Sequence, residues 1–246
     1  MPGLRRCWIV LALLLVASQG CGPNAREARW LDPNHRFKPT GDAVISSPAL
    51  WDWNRDGVLE IAVGSWNGYF YVLDADLNEL PGWPRWSQRG FFSSPALADL
   101  DGDSTPEILV GSDVGKLFAW RWDGKAVEGF PVDLEYTIWA SPTVFGKEPY
   151  IAIGSKSWMY VLDARGQAID GWPRPIEGWP DATVAATSEL LAVTTLTPGD
   201  PSHGWIYAWS LDGRVLPGFP VELEMDSDSS PALVDLDGDG EMWIIF

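Results

Sequence analysis

The sequence predicts an all-β fold, a β-propeller of four-stranded blades, and two recurring landmarks carry the prediction. A Gly-aromatic-Pro motif occurs four times at spacings of 42–47 residues, at Gly82-Trp83-Pro84, Gly129-Phe130-Pro131, Gly171-Trp172-Pro173 and Gly218-Phe219-Pro220. A Ser-Pro pair recurs at Ser47, Ser94, Ser141 and Ser230. A period of about 40–50 residues is typical of solenoids and propellers. No segment shows a 3.6-residue apolar period, which argues against helices.

The second repeat shows the plan of one blade. A short strand is predicted at 91–98, and an Asp-rich loop follows it. The apolar run Glu107–Gly111 predicts a buried strand, and a turn at 112–115 leads into a third strand, Lys116–Trp120. The Asp123-Gly124 dipeptide predicts a hairpin turn, after which 125–131 is the expected last strand. Four short antiparallel strands in one repeat make a propeller blade.

The other repeats follow the same plan. Strands are expected at 61–64, 69–73, 150–154, 159–162, 190–193 and 205–209, with a divergent loop near 198–204 in the fourth repeat. The repeats cover about 42–84, 91–131, 139–173, 181–220 and, as a partial fifth, 228–246. We therefore expect four blades plus part of a fifth, an incomplete ring that is either a truncated reading frame or is completed by another chain. An open propeller edge of this kind favours self-association.

The aromatic residues of the Gly-aromatic-Pro motif are predicted to pack between blades. Trp83, Phe130, Trp172 and Phe219 recur once per repeat, and large aromatic side chains dominate the energetics of protein cores. Packing is therefore the favoured role for these four side chains, rather than ligand binding.

The N-terminal residues are typical of an export signal. Arg5 and Arg6 precede an apolar run at 8–17 that is too short to span a bilayer, so residues 1–20 are predicted to be a signal peptide. The sequence Ser18-Gln19-Gly20-Cys21 resembles the lipobox of bacterial lipoproteins, in which the cysteine is diacylated and becomes the mature N-terminus. The alternatives are ordinary cleavage with free secretion, or export through a twin-arginine signal.

The cysteine count agrees with lipid anchoring. Cys7 and Cys21 are the two cysteines of the chain, and Cys7 would leave with the signal, so no intrachain disulfide is expected. Two acyl chains on Cys21 give stable anchoring. Residues 21–41 would then form a flexible tether. The expected product is an exported bacterial lipoprotein, in the periplasm or at the cell surface, whose only membrane contact is its N-terminal lipid.

Composition and charge exclude some partners. A hydrophobic content of 46% indicates a globular chain. The formal net charge of −17 argues against nucleic-acid binding and against docking on anionic lipid headgroups. Clustered acidic residues instead suggest bound cations.

Three loops carry the candidate metal ligands. In the first two loops, oxygen side chains occupy positions 1, 3, 5 and 9, and position 7 can add its backbone carbonyl. The third loop has the first three of these, together with Glu241 at position 7, and its position 9 is Trp243. The ligands are Asp52, Asn54, Asp56, Val58 (carbonyl) and Glu60; Asp99, Asp101, Asp103, Thr105 (carbonyl) and Glu107; and Asp235, Asp237, Asp239 and Glu241. Ca²⁺ takes six to eight oxygens in irregular geometry, whereas Mg²⁺ demands a stricter octahedron. The alternative is an Asp/Gly-rich turn that binds nothing. The third and fourth repeats lack these residues and are expected to be metal-free.

The same loops carry a family resemblance. The segments 94–103 and 230–239 resemble the FG-GAP/VCBS repeats of bacterial exported proteins, which are similar to the propeller of integrin α subunits. The resemblance implies a Ca²⁺-stabilised propeller used for adhesion or recognition, with an unknown protein or polysaccharide at the cell surface as partner. The segments 68–74 and 115–120 also resemble the repeats of quinoprotein propellers.

Three functions follow as hypotheses, and the first is a binding scaffold without a catalytic site. The second is a propeller enzyme, either a quinoprotein dehydrogenase or a Ca²⁺-dependent polysaccharide-degrading enzyme. The sequence argues against an enzyme because it has no Gly-x-Ser-x-Gly motif. It has only two histidines, His35 in the tether and His203 in a divergent loop. The third is a carbohydrate-binding module that uses Trp66, Trp158 and Trp179, with Trp66 and Trp158 expected at equivalent turns near one rim.

Overall fold

Short β-strands in five antiparallel sheets make up the part of the chain that the computed structural model describes, residues 38–225 and 227–246. The strands are β1 (Ala49–Trp51), β2 (Glu60–Gly64), β3 (Tyr69–Leu73), β4 (Arg85–Trp86), β5 (Ala96–Ala98), β6 (Glu107–Gly111), β7 (Lys116–Trp120), β8 (Val132–Asp133), β9 (Thr143–Phe145), β10 (Tyr150–Ser155), β11 (Trp158–Leu162), β12 (Arg174–Pro175), β13 (Ala185–Ala186), β14 (Leu190–Leu196), β15 (Gly204–Ser210), β16 (Val221–Leu223), β17 (Ala232–Val234) and β18 (Trp243–Ile245). No membrane-spanning helix occurs among the described residues.

Each sheet follows chain order and forms one blade. Blades 1 to 4 contain β1–β4, β5–β8, β9–β12 and β13–β16, and a partial fifth blade contains β17 and β18. The first strand of a blade lies against the first strand of the next, as β5 does with β9 and β13 with β17. The first strands are therefore innermost and the fourth strands outermost. This confirms the predicted all-β propeller of four blades plus part of a fifth.

The predicted strands agree best with the structure at the middle of each blade. β3, β6 and β7 have the predicted limits. The prediction of a last strand at 125–131 is wrong, because this segment turns and the outer strand β8 follows it. The backbone N–H of Val127 donates to the Ala119 carbonyl (3.0 Å) and that of Phe130 to the Val127 carbonyl (3.1 Å). These two bonds turn the chain so that the ring of Phe130 enters the protein before β8 begins.

Most of the hydrophobic core lies between blades, although one small buried cluster, Val63, Tyr71 and Leu73, belongs to blade 1 alone. One buried cluster joins blades 1 and 2, the next joins blades 2 and 3, and a third joins blades 3 and 4. In the first, Trp83 lies with its ring centroid 5.8 Å from Phe70 and 5.7 Å from Trp120 of the next blade. Its indole N–H donates to the Trp122 carbonyl at 2.7 Å.

The predicted packing of the motif aromatics is confirmed for three of the four. Trp83, Phe130 and Trp172 are buried, and each belongs to a cluster shared by two blades. Phe219 is half-buried beside the partial fifth blade, where it lines a cavity with Leu233 and Trp243.

The glycine of the Gly-aromatic-Pro motif differs between blades in how closely it approaches its neighbour. Gly129 has φ +90°, and a Cβ built on it would lie 2.1 Å from the Arg165 carbonyl oxygen of blade 3. Gly218 has almost the same backbone (φ +88°), but a Cβ there meets nothing within 4 Å. The same motif position is therefore an inter-blade contact in blade 2 and an open surface in blade 4.

This difference predicts unequal effects of alanine. Both Gly129→Ala and Gly218→Ala place a side chain in the left-handed region, but only Gly129→Ala also forces two backbones apart. We expect Gly129→Ala to cost about 1–3 kcal/mol more than Gly218→Ala, the range seen for overpacking. Urea unfolding of both variants measures the difference. Equal losses would contradict the close inter-blade approach at Gly129.

A belt of serine hydroxyls links the inner strands and explains the Ser-Pro landmark. The Ser47 N–H donates to Ser94 Oγ (2.9 Å), and the Ser94 N–H donates to Ser141 Oγ (3.0 Å), each across 47 residues. The Thr183 N–H donates to Ser230 Oγ in the same way (3.0 Å). Each hydroxyl thus satisfies a backbone donor of the preceding blade, where the inner strands have not yet begun to pair.

The last residues of the segment predicted as a tether contact blade 1. Lys38 pairs with Glu79 at 2.8 Å, and Ser65 Oγ lies 3.2 Å from Thr40 Oγ1. The Trp66 N–H donates to the Ala43 carbonyl at 2.8 Å. The predicted signal peptide, Cys21, His35 and the tether up to residue 37 lie outside the described residues.

Candidate metal centres and the opposite rim

The three acidic loops lie at one end of the propeller. Each connects the first and second strands of its blade, in blade 1, blade 2 and the partial fifth blade. Because successive strands of a blade run antiparallel, the turns between second and third strands lie at the other end, as do the links from a fourth strand to the next blade. We call these two ends the loop end and the opposite rim.

The first aspartate of each loop shapes the backbone. Asp52 accepts hydrogen bonds from the N–H groups of Asp56 (3.0 Å) and Gly57 (2.9 Å). Asp99 accepts from Gly102 (2.7 Å) and Ser104 (2.9 Å). Asp235 accepts from Gly238 (2.7 Å) and Gly240 (3.0 Å), and these bonds hold its pKa below the usual value. In all three loops the N–H five residues after the first aspartate donates to it, which indicates a similar loop geometry.

The structure brings most of the predicted carboxylates together. Three groups each have ligand oxygens within 4.8 Å of one another: Asp52, Asp56 and Glu60; Asp99, Asp101 and Glu107; and Asp235, Asp237 and Asp239. Asp103 and Glu241 do not belong to these groups. Asn54 donates its amide to Glu60 Oε1 at 2.9 Å. Arg121 Nη2 lies 2.6 Å from Asp101, so the second loop has a protein cation beside it.

The glutamates at position 9 are buried inside the blade. Glu60 and Glu107 are each 2% exposed. They accept backbone N–H bonds at 2.8 Å from Trp53 and Leu100, the residues at loop position 2. Burial, together with the neighbouring aspartates, raises the pKa of both carboxyls. A buried carboxyl that faces other carboxylates is the arrangement that a bound cation neutralises.

The donor set fits a hard cation. Each group offers carboxylate oxygens and neither nitrogen nor sulfur, which suits Ca²⁺ or Mg²⁺ and not a soft metal. Two of the three groups add a buried glutamate to one half-buried and one exposed aspartate. The group in the partial fifth blade has no buried member, so of the three it is the most open to water.

Four aromatic rings form a row on the opposite rim. Trp66, Phe92, Trp139 and Trp179 touch in sequence, with centroid distances of 4.9, 5.3 and 5.8 Å. We call these four residues the aromatic row. Trp66 lies in the turn after β2, and the other three lie in the links that precede β5, β9 and β13. Trp66 is 49% exposed and Trp139 is 38% exposed, so their rings face solvent.

The predicted equivalence of Trp66 and Trp158 is wrong. Trp158 is the first residue of β11 and pairs with Pro175, whereas Lys156 occupies the turn position that matches Trp66. The turn of blade 3 is one residue shorter than that of blade 1. Trp158, the first residue of β11, lies four residues after Gly154, whereas Tyr69, the first residue of β3, lies five residues after Gly64. The sequence analysis also missed Phe92 and Trp139. Their signal was present, because they are 47 residues apart and each lies two residues before the serine of a Ser-Pro pair.

Polar groups fix one member of the aromatic row. The Trp139 indole N–H donates to Asp113 Oδ1 at 3.1 Å, and Arg89 Nη1 lies 3.4 Å from Asp113 Oδ2. Asp113 thus holds the indole edge of a residue that is 38% exposed.

Comparison with known proteins identifies the fold. No family model and no curated protein matches the chain. The solved structures that it resembles include BamB from Moraxella catarrhalis, at 16% identity and a TM-score of 0.55 over 79% of this chain and 54% of that one. The computationally designed Ika8 protein is 16% identical, with a TM-score of 0.53 over 80% of this chain and 57% of that one. BBS1N in complex with ARL6DN is 11% identical, with a TM-score of 0.52 over 83% of this chain and 67% of that one.

By fold, the chain is a β-propeller. It spans about half the length of the BamB chain. Identities this low carry no information on function, and the resemblance to FG-GAP/VCBS repeats stays a prediction because no family model supports it.

A Ser-His-Asp group in the fourth blade of this propeller has the wrong geometry for a catalytic relay. Ser202 Oγ and Asp200 Oδ2 both lie 2.9 Å from His203 Nδ1. In a relay the two partners bind opposite ring nitrogens. His203 Nε2 instead lies 3.7 Å from Glu222, and the side chains are about half exposed.

Asp181, two residues after Trp179, is expected to make the stability of the protein depend on pH. Burial, and then the charge of Asp228, raise the pKa of Asp181 from 3.8 to about 6. A raised carboxyl pKa means that stability is lost as the pH rises from about 4 through 6. Asp181→Asn has no charge to bury, so we expect it to melt above the parent protein near pH 7.5 and not above it near pH 4.

Thermal melts of Asp181→Asn and the parent protein at both pH values test this, and the difference between the two proteins isolates Asp181 from the other acids. Asp163→Asn, in a hairpin turn of blade 3, is the matched control for replacing a turn aspartate with asparagine. A melting difference for Asp181→Asn that is the same at both pH values would contradict a raised pKa.

Proposed function

We propose that the protein is an exported, lipid-anchored binding scaffold whose propeller is stabilised by Ca²⁺ and which has no catalytic site of its own. The observation that carries the proposal is the repeated carboxylate group at the loop end. Two of its three copies include a glutamate that is 2% exposed. Burying that charge among other carboxylates is unfavourable unless a cation is present.

The scaffold role is supported by a similar propeller structure that was solved with a protein partner, and by the sequence of the acidic loops. Neighbouring propeller structures include BBS1N, solved in complex with ARL6DN, so a fold of this kind can present a binding surface to another protein. The FG-GAP/VCBS-like sequence of the loops favours recognition of a protein or polysaccharide at a bacterial cell surface. A diacylated Cys21 would hold the propeller at the membrane, and cleavage without acylation would release it.

The experiment that tests the metal part is a calorimetric titration of the full chain with CaCl₂ after treatment with EGTA. We expect two or three sites, with dissociation constants of about 10⁻⁴–10⁻³ M as in extracellular calcium modules. MgCl₂ in parallel distinguishes a site selective for Ca²⁺ from one open to any hard cation. A folded protein that takes up no Ca²⁺ would show that the loops are turns and would remove this part of the proposal.

The anchoring part has a separate test. Expression of the parent and of Cys21→Ser in bacteria fed a labelled fatty acid should give a labelled parent in the membrane fraction and an unlabelled variant. If the parent is unlabelled and appears in the soluble exported fraction, free secretion replaces lipid anchoring.

A further inference from the structure

We propose that the aromatic row is a binding platform for a neutral polysaccharide chain. The inference rests on the proposed role as a binding scaffold and names the chemistry of the partner. It does not depend on Ca²⁺, because the row lies at the opposite rim and the carboxylate groups lie at the loop end.

The aromatic row is built as a surface and not as a core. The aromatics that hold the blades together, such as Trp83 and Trp172, are 7% exposed. Trp66 and Trp139 are 49% and 38% exposed, yet they lie in one line of contacts with Phe92 between them. A continuous exposed apolar surface with a polar border is typical of an interaction site.

The polar border fits hydroxyl groups. Asp113 offers a carboxylate beside Trp139, and Arg89, whose side chain is 64% exposed, offers guanidinium N–H groups next to it. A sugar ring has an apolar C–H face and an edge of hydroxyls that both donate and accept. A partly exposed indole beside a fixed donor and acceptor pair can contact both parts of such a ring.

The charges on this rim favour a neutral ligand. The acids Asp181 and Asp228 follow the Trp179 end of the row, and the whole chain has a net charge of −17, which repels acidic polymers. Lys156 lies 4.5 Å from the ring centroid of Tyr136 on the same rim, and Arg89 is beside Trp139. Arg89 and Lys156 therefore give the border hydrogen-bond donors, while the surplus of acids disfavours an acidic polymer as the ligand.

The row also has the extent that a chain polymer needs. It begins in blade 1 with Trp66 and ends at the start of blade 4 with Trp179, so a ligand that follows it contacts one turn and three links of the propeller. A single sugar could occupy one ring, whereas an oligosaccharide could contact several rings at once.

The test is calorimetric titration of the full chain with cellohexaose, xylohexaose and mannohexaose, each in Ca²⁺ and in EGTA. The variants are Trp66→Ala and Trp139→Ala, and the matched control is Trp122→Ala. Trp122 is 39% exposed, close to Trp139, but lies in the turn after β7 at the loop end. We expect at least one hexasaccharide to bind, and each row variant to weaken binding about tenfold, the equivalent of one aromatic contact.

Variants of Asp113 give a second test, because Asp113 holds the Trp139 indole in place. Asp113→Asn keeps an oxygen acceptor for the Trp139 indole, whereas Asp113→Ala removes it. Asp113→Ala should weaken hexasaccharide binding and change the near-ultraviolet circular dichroism of the indole, and Asp113→Asn should restore both.

Three results would overturn the inference. They are the absence of binding to all three hexasaccharides, binding that survives both row variants, and an equal loss in Trp122→Ala. A proline-rich decapeptide that binds where no hexasaccharide does would replace the polysaccharide with a protein partner. The failure of the Ca²⁺ proposal is separate, because it would appear as a lack of Ca²⁺ uptake whatever the sugar result.

Discussion

Ten millimolar Ca²⁺ is expected to raise the free energy of unfolding by about 1.4–2.7 kcal/mol for each occupied loop, relative to EGTA. This range follows from mass action at 10–100 times a dissociation constant of about 10⁻⁴–10⁻³ M. The physical reason is that the buried Glu60 and Glu107 face other carboxylates, and a cation converts their repulsion into attraction. Differential scanning calorimetry with and without EGTA measures the effect.

The variants for this prediction remove charge without removing loop structure. At position 5, Asp56, Asp103 and Asp239 each accept the N–H of position 7 at 2.7 Å. An asparagine keeps that acceptor oxygen. Of these three, Asp56 and Asp239 belong to the carboxylate groups. Asp56→Asn and Asp239→Asn should therefore match or exceed the parent stability in EGTA, and each should reduce the Ca²⁺ increment.

The control is another aspartate in a tight turn. Asp163 accepts N–H bonds from Arg165 and Gln167, both at 2.9 Å, and does not belong to the carboxylate groups. Asp163→Asn should leave the Ca²⁺ increment unchanged. If Ca²⁺ fails to raise the melting temperature of the folded parent, or if Asp56→Asn and Asp239→Asn both keep its full increment, the loops are not Ca²⁺ sites.

Trp83→Ala is expected to destabilise the protein by about 3–5 kcal/mol, the usual loss for a buried aromatic residue. Trp83 is 7% exposed, contacts Phe70 and Trp120, and donates its indole N–H to the Trp122 carbonyl. Removing it leaves a cavity between two blades and an unpaired carbonyl. For a chain of this size the melting temperature should fall by about 10 °C.

The chain supplies its own matched comparison for Trp83. Phe219 occupies the same place in the fourth repeat but is only half-buried. Phe219→Ala should cost about 1 kcal/mol, because it returns less apolar surface to water. Urea unfolding of both variants, with Trp122→Ala as an exposed control, tests the contrast. Equal losses at Trp83 and Phe219 would show that the position stabilises its own blade and not the interface.

The repeat period was enough to predict the blades and their central strands. Strands such as Glu107–Gly111 are continuous apolar runs between turn residues, and they carry their own signal. The outer strands were missed because they are two or three residues long, for example Val132–Asp133, and have no alternating pattern. Their position depends on the turn that buries Phe130, which is an effect of tertiary packing.

The carboxylate groups were predicted from loop spacing, but the burial of their glutamates was not. Spacing shows that Glu107 can reach the loop, whereas its 2% exposure and its bond from the Leu100 N–H depend on how β6 enters the blade. The aromatic row was harder to predict from the sequence than the carboxylate groups, because Trp66 and Phe92 belong to different parts of the repeat. Only an alignment of the repeats at 47 residues places Phe92 and Trp139 at one position.

The sharing of the three large buried clusters between neighbouring blades has a consequence for how such a chain can change in evolution. A single four-stranded sheet holds only part of the apolar residues of each of these clusters, so the packing unit runs from the middle of one blade to the middle of the next. A gene duplication of one repeat length therefore copies two complementary half-interfaces at once, wherever in the repeat it starts. Blades can then be gained without any new complementarity having to arise.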